Sequence, residues 1–238
     1  MKPLEIAKDI YSVGVKDWNV RNFHGYLTQK GSTYNAYLII DEKITLIDTV
    51  KAPFCEEFLE RISQVVDLSK IEYVVSNHVE MDHSGSMPEV MKRLPNATVL
   101  TNAAAEKEHK LHYDTTNWKI QTVKTGDSVS IGKRTLTFLT TPMVHWPDNM
   151  LTYCPEDKIL FSNDAFGQHL ASSENFDDEL SLDLILAEAK KYYANIVMPY
   201  SSQVVTALKA ASALDIKMIA PAHGLSWRTN LPAILECY

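Results

Sequence analysis

Apolar positions in the first fifty residues come in short runs, over 10–15, 33–40 and 44–48, separated by Gly31 and the Asp41-Glu42-Lys43 turn. Runs of that length bounded by turn residues predict β-strands opening as a meander. Over 52–66 the spacing changes: Phe54, Phe58, Leu59, Ile62, Val65 and Val66 recur at helical intervals, and the segment leads into a buried strand over 71–75. A helix is predicted over 88–94, with Pro88 suited to a first turn. A strand over 98–101, a helix over 103–111 and a hairpin over 120–141, broken at Gly126-Asp127 and Gly132, follow. A second strand pair is predicted at 151–154 and 159–161, then amphipathic helices over 180–193 and 203–214, a short strand over 218–221 and a closing helix over 232–238. Strands followed by helices in two similar halves predict two packed sheets with helices outside, an αββα sandwich.

Composition narrows the class. A chain of 238 residues with 45% hydrophobic positions can bury a sizeable core, and the lack of a low-complexity linker favours one domain over residues 1–238. The net charge of −7 and the scattered basic residues argue against a nucleic-acid or anionic-membrane partner. No apolar run approaches the roughly 20 residues of a membrane span, and the amino terminus lacks a secretory core, so a cytoplasmic location is expected. Cys55, Cys154 and Cys237 are too few and too far apart for a disulfide framework or a thiolate metal site. Metal ligation, if present, falls to histidines and carboxylates.

Those residue types crowd directly after the strand over 71–75, in Ser76-Asn77-His78-Val79-Glu80-Met81-Asp82-His83-Ser84-Gly85. In an extended segment residues 78, 80 and 82 point to one side and His83 turns away. One metal can then take His78 and Glu80, and a neighbouring one Asp82 and His83. A solvated polar loop is the plainer reading, but two imidazoles and two carboxylates this close favour a metal site. Three isolated residues at strand ends are candidates to complete it: His145, Asp164 and His223. Their long separations say nothing by themselves about contact.

The order His-x-Glu-x-Asp-His followed by His, Asp and His resembles the diiron domain of flavodiiron proteins, a branch of the metallo-β-lactamase superfamily. The likeness runs from about residue 9 to the end. It includes Arg21-Asn22-Phe23-His24-Gly25-Tyr26, Thr33-Tyr34-Asn35-Ala36-Tyr37, Asp82-His83-Ser84-Gly85, His145-Trp146-Pro147-Asp148 and Asp164-Ala165-Phe166-Gly167. The resemblance implies a metallo-β-lactamase-like α/β fold in which His78, Glu80 and His145 hold one iron, Asp82, His83 and His223 hold the other, and Asp164 bridges them. It also implies a homodimer. Glu80 stands where hydrolytic zinc relatives carry histidine, and the extra negative charge helps accommodate ferric iron, with zinc the main rival. His24 and His169 lie in segments resembling those that surround the family's irons, where an imidazole bonds a ligand carboxylate or approaches bound oxygen. Tyr193 resembles a tyrosine near the family's substrate pocket, with a packed core aromatic as the alternative. Trp146 is expected to pack beside the site, and His109 and His112 to lie on the surface.

Flavodiiron enzymes continue into a flavodoxin-like domain, and nothing after Ser226-Trp227-Arg228 carries a phosphate-cradling loop, so no FMN is expected on this chain. The irons supply two electrons and oxygen needs four for full reduction. The expectation is therefore an oxygen and iron sensor that holds oxygen as a peroxo-diferric species and signals to a chemotaxis receptor, as stand-alone proteins resembling this core do. The alternative is an oxygen or nitric oxide reductase fed by a separate flavin or rubredoxin donor. A hydrolase is a third reading, disfavoured by Glu80.

Overall fold

The computed structural model describes residues 2–238, so Met1 of the expected domain lies outside the described residues. Two sheets carry the fold. The first orders seven strands as Leu4–Ala7, Ile10–Ser12, Tyr37–Ile39, Ile44–Ile47, Ile71–Val75, Thr98–Thr101 and Lys119–Thr122. The pairings are antiparallel up to Ile44–Ile47 and parallel beyond it. The second orders Ser128–Ser130, Thr135–Thr140, Met150–Cys154, Ile159–Asn163 and Met218–Pro221, antiparallel except for the last pair.

The two-residue period of the strands sorts the core into layers. Tyr37, Ile39, Ile47, Val75 and Leu100 of the first sheet meet Leu136, Phe138, Met150, Ile159 and Phe161 of the second in one buried cluster between the sheets. Their neighbours Leu38, Leu46, Val74 and Val99 point the other way, onto Phe58, Leu59 and Ile62 of the helix Cys55–Ser63. Leu139, Leu151, Leu160 and Ile219 likewise cover Ile185, Ala189 and Tyr192 of the helix Leu182–Tyr192 and Val204 of the helix Ser201–Ala211. The result is the αββα sandwich expected from the pattern, the metallo-β-lactamase-like fold that the resemblance implies.

Two expectations change. The segment around residue 120 does not pair with the next strand as a hairpin. Lys119–Thr122 runs parallel to Thr98–Thr101 in the first sheet, and the chain crosses to the second sheet before Ser128. The Gly126-Asp127 turn that suggested a hairpin instead serves this crossing, with Gly126 N–H donating to Phe138 O at 3.0 Å.

His109 is buried rather than on the surface, because the helix Ala103–His112 turns the face bearing Ala105 and His109 inward. Its Nε2 lies 2.9 Å from Ser76 Oγ. Burial pushes the His109 pKa down to about 4. The unfolded chain takes up this proton below roughly pH 6.5 whereas the folded state resists it, so stability is complete above that pH and is lost as pH falls toward about 4. Between about pH 7.5 and 5.5 metal-free protein is expected to lose about 1 kcal/mol more stability than His109→Gln, whose amide does not titrate. Equal losses in urea unfolding would remove His109 from the acid response.

Candidate metal centre

All the candidate ligands follow strands at one edge of the sandwich. His78 and Glu80 lie in the loop after Ile71–Val75, and the chain then winds into the short helix Met81–Ser84. The extended alternation expected through residue 82 therefore stops at Glu80. Its helical turn, with His83 N–H donating to Glu80 O at 2.9 Å, carries Asp82 and His83 together to a second position. His145 follows Thr135–Thr140, Asp164 follows Ile159–Asn163, and His223 follows Met218–Pro221.

Seven side chains that the sequence spreads over 146 positions converge into two matching sets. In one, His78 Nε2 and His145 Nε2 lie 3.5 and 3.2 Å from Glu80 Oε2, and again 3.5 and 3.2 Å from Asp164 Oδ2. In the other, His83 Nε2 and His223 Nε2 lie 3.1 and 3.0 Å from Asp82 Oδ2, and 3.0 and 3.3 Å from Asp164 Oδ1. Each set thus contains two imidazole nitrogens, one oxygen of its own carboxylate and one oxygen of Asp164. All these atoms are buried without a hydrogen-bond partner. Orphaned polar atoms at that density are costly unless something else satisfies them. Donors about 2.0–2.2 Å from a common cation stand roughly 3–3.5 Å from one another, the spacing observed. The two sets fit a pair of cations sharing one carboxylate.

Electrostatics points the same way. Burial opposes charge on His145, but the nearness of Asp164 and Glu80 outweighs it and takes the imidazole up to about 9. His223 rises against burial to about 10 beside Asp164 and Asp82. Burial likewise opposes ionisation of Asp164, yet His83, His145 and His223 hold its carboxyl well below the usual range. The carboxylates stay anionic and the imidazoles seek positive charge, which a metal ion supplies in place of protons.

Residues behind the ligands fix their orientation. Both carboxylate oxygens of Asp148 lie 2.9 Å from His78 Nδ1, and Oδ2 also accepts from Val79 N–H at 2.7 Å. His223 Nδ1 lies 2.6 Å from Thr33 O. Beneath the loops, Asp48 accepts from Asn77 N–H and Nδ2 at 2.7 and 2.9 Å and from Asn163 Nδ2 at 3.2 Å, joining the residues that precede His78 and Asp164. Asp48 and Asn163 hold the left-handed conformation, φ 58° and 49°, which non-glycine residues keep only when their surroundings enforce it. Sequence reasoning missed Asp48, Asn77 and Asn163 as site residues, and quoted Asp148 without giving it a role.

His24 stands at the rim, its Nε2 3.4 Å from Glu80 Oε1 and its Nδ1 3.0 Å from His169 Nε2, while His169 Nδ1 reaches Ser32 Oγ at 2.7 Å. His24 also lies near enough to Asp82 and His223 to form a possible ligand group with them. Tyr193 does not join this cluster, because its ring packs edge-on to Tyr238 with centroids 4.9 Å apart. Of the pair Tyr192 and Tyr193, Tyr192 lies beside the site, fully buried, with ring centroids 5.0 Å from His169 and 5.9 Å from His223. Ile185, Ala189 and Tyr192 share the inward helical face, and Tyr193 is turned about 100° away from it. Trp146 packs edge-on to His78 at 5.2 Å, and with Phe23, Lys51, Met81 and the exposed His112 it borders a mouth of about 310 Å³ that opens beside Glu80 and Asp82. No helix among the described residues is long and apolar enough to cross a membrane.

A family model described as ODP family beta lactamase matches residues 33–224. A nitric oxide reductase of Moorella thermoacetica is 48% identical over the whole chain, which covers 60% of that protein. Among solved structures, the flavodiiron protein of Giardia intestinalis superposes with a TM-score of 0.97 at 45% identity over the whole chain and 58% of its own. The rubredoxin oxygen:oxidoreductase of Desulfovibrio gigas does so with a TM-score of 0.94 at 39% identity, over 99% of this chain and 60% of that one. The chain spans about 60% of the length of two curated relatives that it matches.

Proposed function

The chain belongs to the ODP β-lactamase family, and we propose that its centre holds two iron ions and reduces molecular oxygen or nitric oxide with electrons from a separate flavin or rubredoxin donor. The observation that carries this reading is the division of Asp164, one oxygen to each of two equivalent donor sets. His78, Glu80 and His145 would hold one iron, Asp82, His83 and His223 the other, with Asp164 common to both. When bound, the irons supply the electrons that the gas accepts. Three carboxylates beside four imidazoles supply more negative charge than hydrolytic zinc sites usually carry, which favours iron.

The chain's own residues do the remaining work. Asp148 and the Thr33 carbonyl keep His78 and His223 in the orientation that presents Nε2 inward. Burial of the ligands excludes bulk water, and the mouth bordered by Lys51, Glu80, Asp82 and His112 leaves an opening for protons, water and an electron donor. The names of the relatives support turnover over the sensing role suggested by the sequence, since two of them are described as reductases or oxidoreductases of nitric oxide and oxygen.

The test is metal analysis followed by gas consumption. Protein produced with iron is expected to contain two irons per chain, and with rubredoxin and an NADH-linked reductase to consume oxygen or nitric oxide at a rate on the order of 10 per second. Uptake of a single equivalent of gas without turnover would sink the reductase and leave a gas-binding role.

A further inference from the structure

The helix Ser201–Ala211 lies over a small, partly open void of about 20 Å³ whose wall exposes no polar atom. The inner wall is made by Val144 and Ala165, the chain neighbours of His145 and Asp164. The outer wall is the helix's inward stripe, Val204, Ala207, Leu208 and Ala211, at positions i, i+3, i+4 and i+7, with Val204 and Ala211 buried and Ala207 and Leu208 half-buried. Two of those four residues are alanines, so the helix passes over the space without filling it. Outside, an apolar groove of about 530 Å³ shares Phe166, Leu208 and Ala211 with the void, and those side chains stand between the two spaces.

We propose that this void is an antechamber through which a small apolar gas reaches the metal centre, an inference that rests on the oxygen or nitric oxide reading of that centre. Its volume exceeds the roughly 10–15 Å³ that one water needs, and a wall with no polar atoms favours apolar guests over water. Water and ions gain no hydrogen bond there, whereas a neutral diatomic gas loses none by leaving water. The mouth beside Glu80 differs in carrying ionisable side chains, Lys51, Glu80, Asp82 and His112, at its border, although Phe23, Val79, Met81 and Trp146 make most of its surface apolar. Gas arrives through carbon-lined space under the helix.

Crystals of the full chain pressurised with xenon are expected to show one xenon bounded by Val144, Ala165 and Ala207. In Ala207→Phe the phenyl ring occupies that space, so the xenon should vanish with metal content unchanged. The association rate of nitric oxide with reduced, iron-loaded protein should fall about tenfold while the rate at saturating gas holds. Leu208→Ala, which enlarges the void, should raise xenon occupancy and leave association as fast or faster, and it gives the same information if the phenylalanine variant does not fold. Absence of xenon from the native crystals, or an unchanged association rate after its displacement, would overturn the antechamber. Failure of the reductase reading shows separately, as no gas consumption with donors present, because xenon occupancy and association rate do not depend on turnover.

Discussion

Asp164→Ala is expected to leave at most one tightly held iron per chain and to cut gas consumption by at least about 100-fold. Asp164 is fully buried, and its two oxygens are divided between the two donor sets at 3.0–3.5 Å from four different imidazole nitrogens. A methyl group at that position takes one donor from each set and leaves four imidazoles facing one another around a cavity with half its oxygen donors gone. Asp164→Asn separates charge from geometry, since the amide retains one oxygen and replaces the other with a nitrogen that cannot accept. That variant should hold one iron better than the other. Iron content by mass spectrometry and magnetic coupling by Mössbauer spectroscopy read the outcome, and a coupled pair surviving in Asp164→Ala would refute the shared-carboxylate arrangement.

Asp148→Asn carries the second large effect, although Asp148 makes no approach to the paired cation positions. Its carboxylate faces His78 Nδ1 with both oxygens and also accepts the Val79 N–H, so it fixes both the imidazole tautomer and the backbone beside it. An asparagine can satisfy one of those donors only by turning its NH₂ toward the other. Affinity at the His78 set is expected to fall about 10- to 100-fold, while the His83 and His223 set keeps most of its own. Chelator competition, following the loss of each iron separately, checks this. Equal weakening of both sets would mean that the substitution had disturbed the fold and not the His78 ring.

Much of the architecture was legible because the strands alternate cleanly: Leu38 against Ile39, Leu46 against Ile47 and Val74 against Val75 assign two faces without knowledge of the partner sheet. The seven-residue constellation was legible by ligand type and through family resemblance. The division of Glu80 and Asp82 between two metals was read from the sequence, but the alternation that pointed both to one side does not explain it. That depends on the helical turn beginning at Met81, which sends Asp82 to the far side in a segment too short to show a helical period. Tyr192 and Tyr193 were indistinguishable by composition, and only the phase of their helix, set by Ile185 and Ala189, separates them. His109 was misplaced because the Lys and Glu residues of its helix describe the outer face, whereas its partner Ser76 lies 33 positions away. The polar bonds of Asp48 with Asn77 and Asn163 left no trace in periodicity, since such pairings depend on the meeting of two sheets.

The donor sets also draw on the chain in a fixed order of synthesis. Four of the seven ligands have been made by residue 83, all just after the strand Ile71–Val75 of the first sheet, yet neither set is complete at that point. The set containing His78 and Glu80 closes when Asp164 emerges, and the other waits for His223 beside the last strand of the second sheet. Domains emerging from the ribosome generally fold as units, and a structural metal is captured as its ligands come together. Filling of the His223 set would therefore register that the second sheet has received its final strand, making the second metal a chemical record of completed folding.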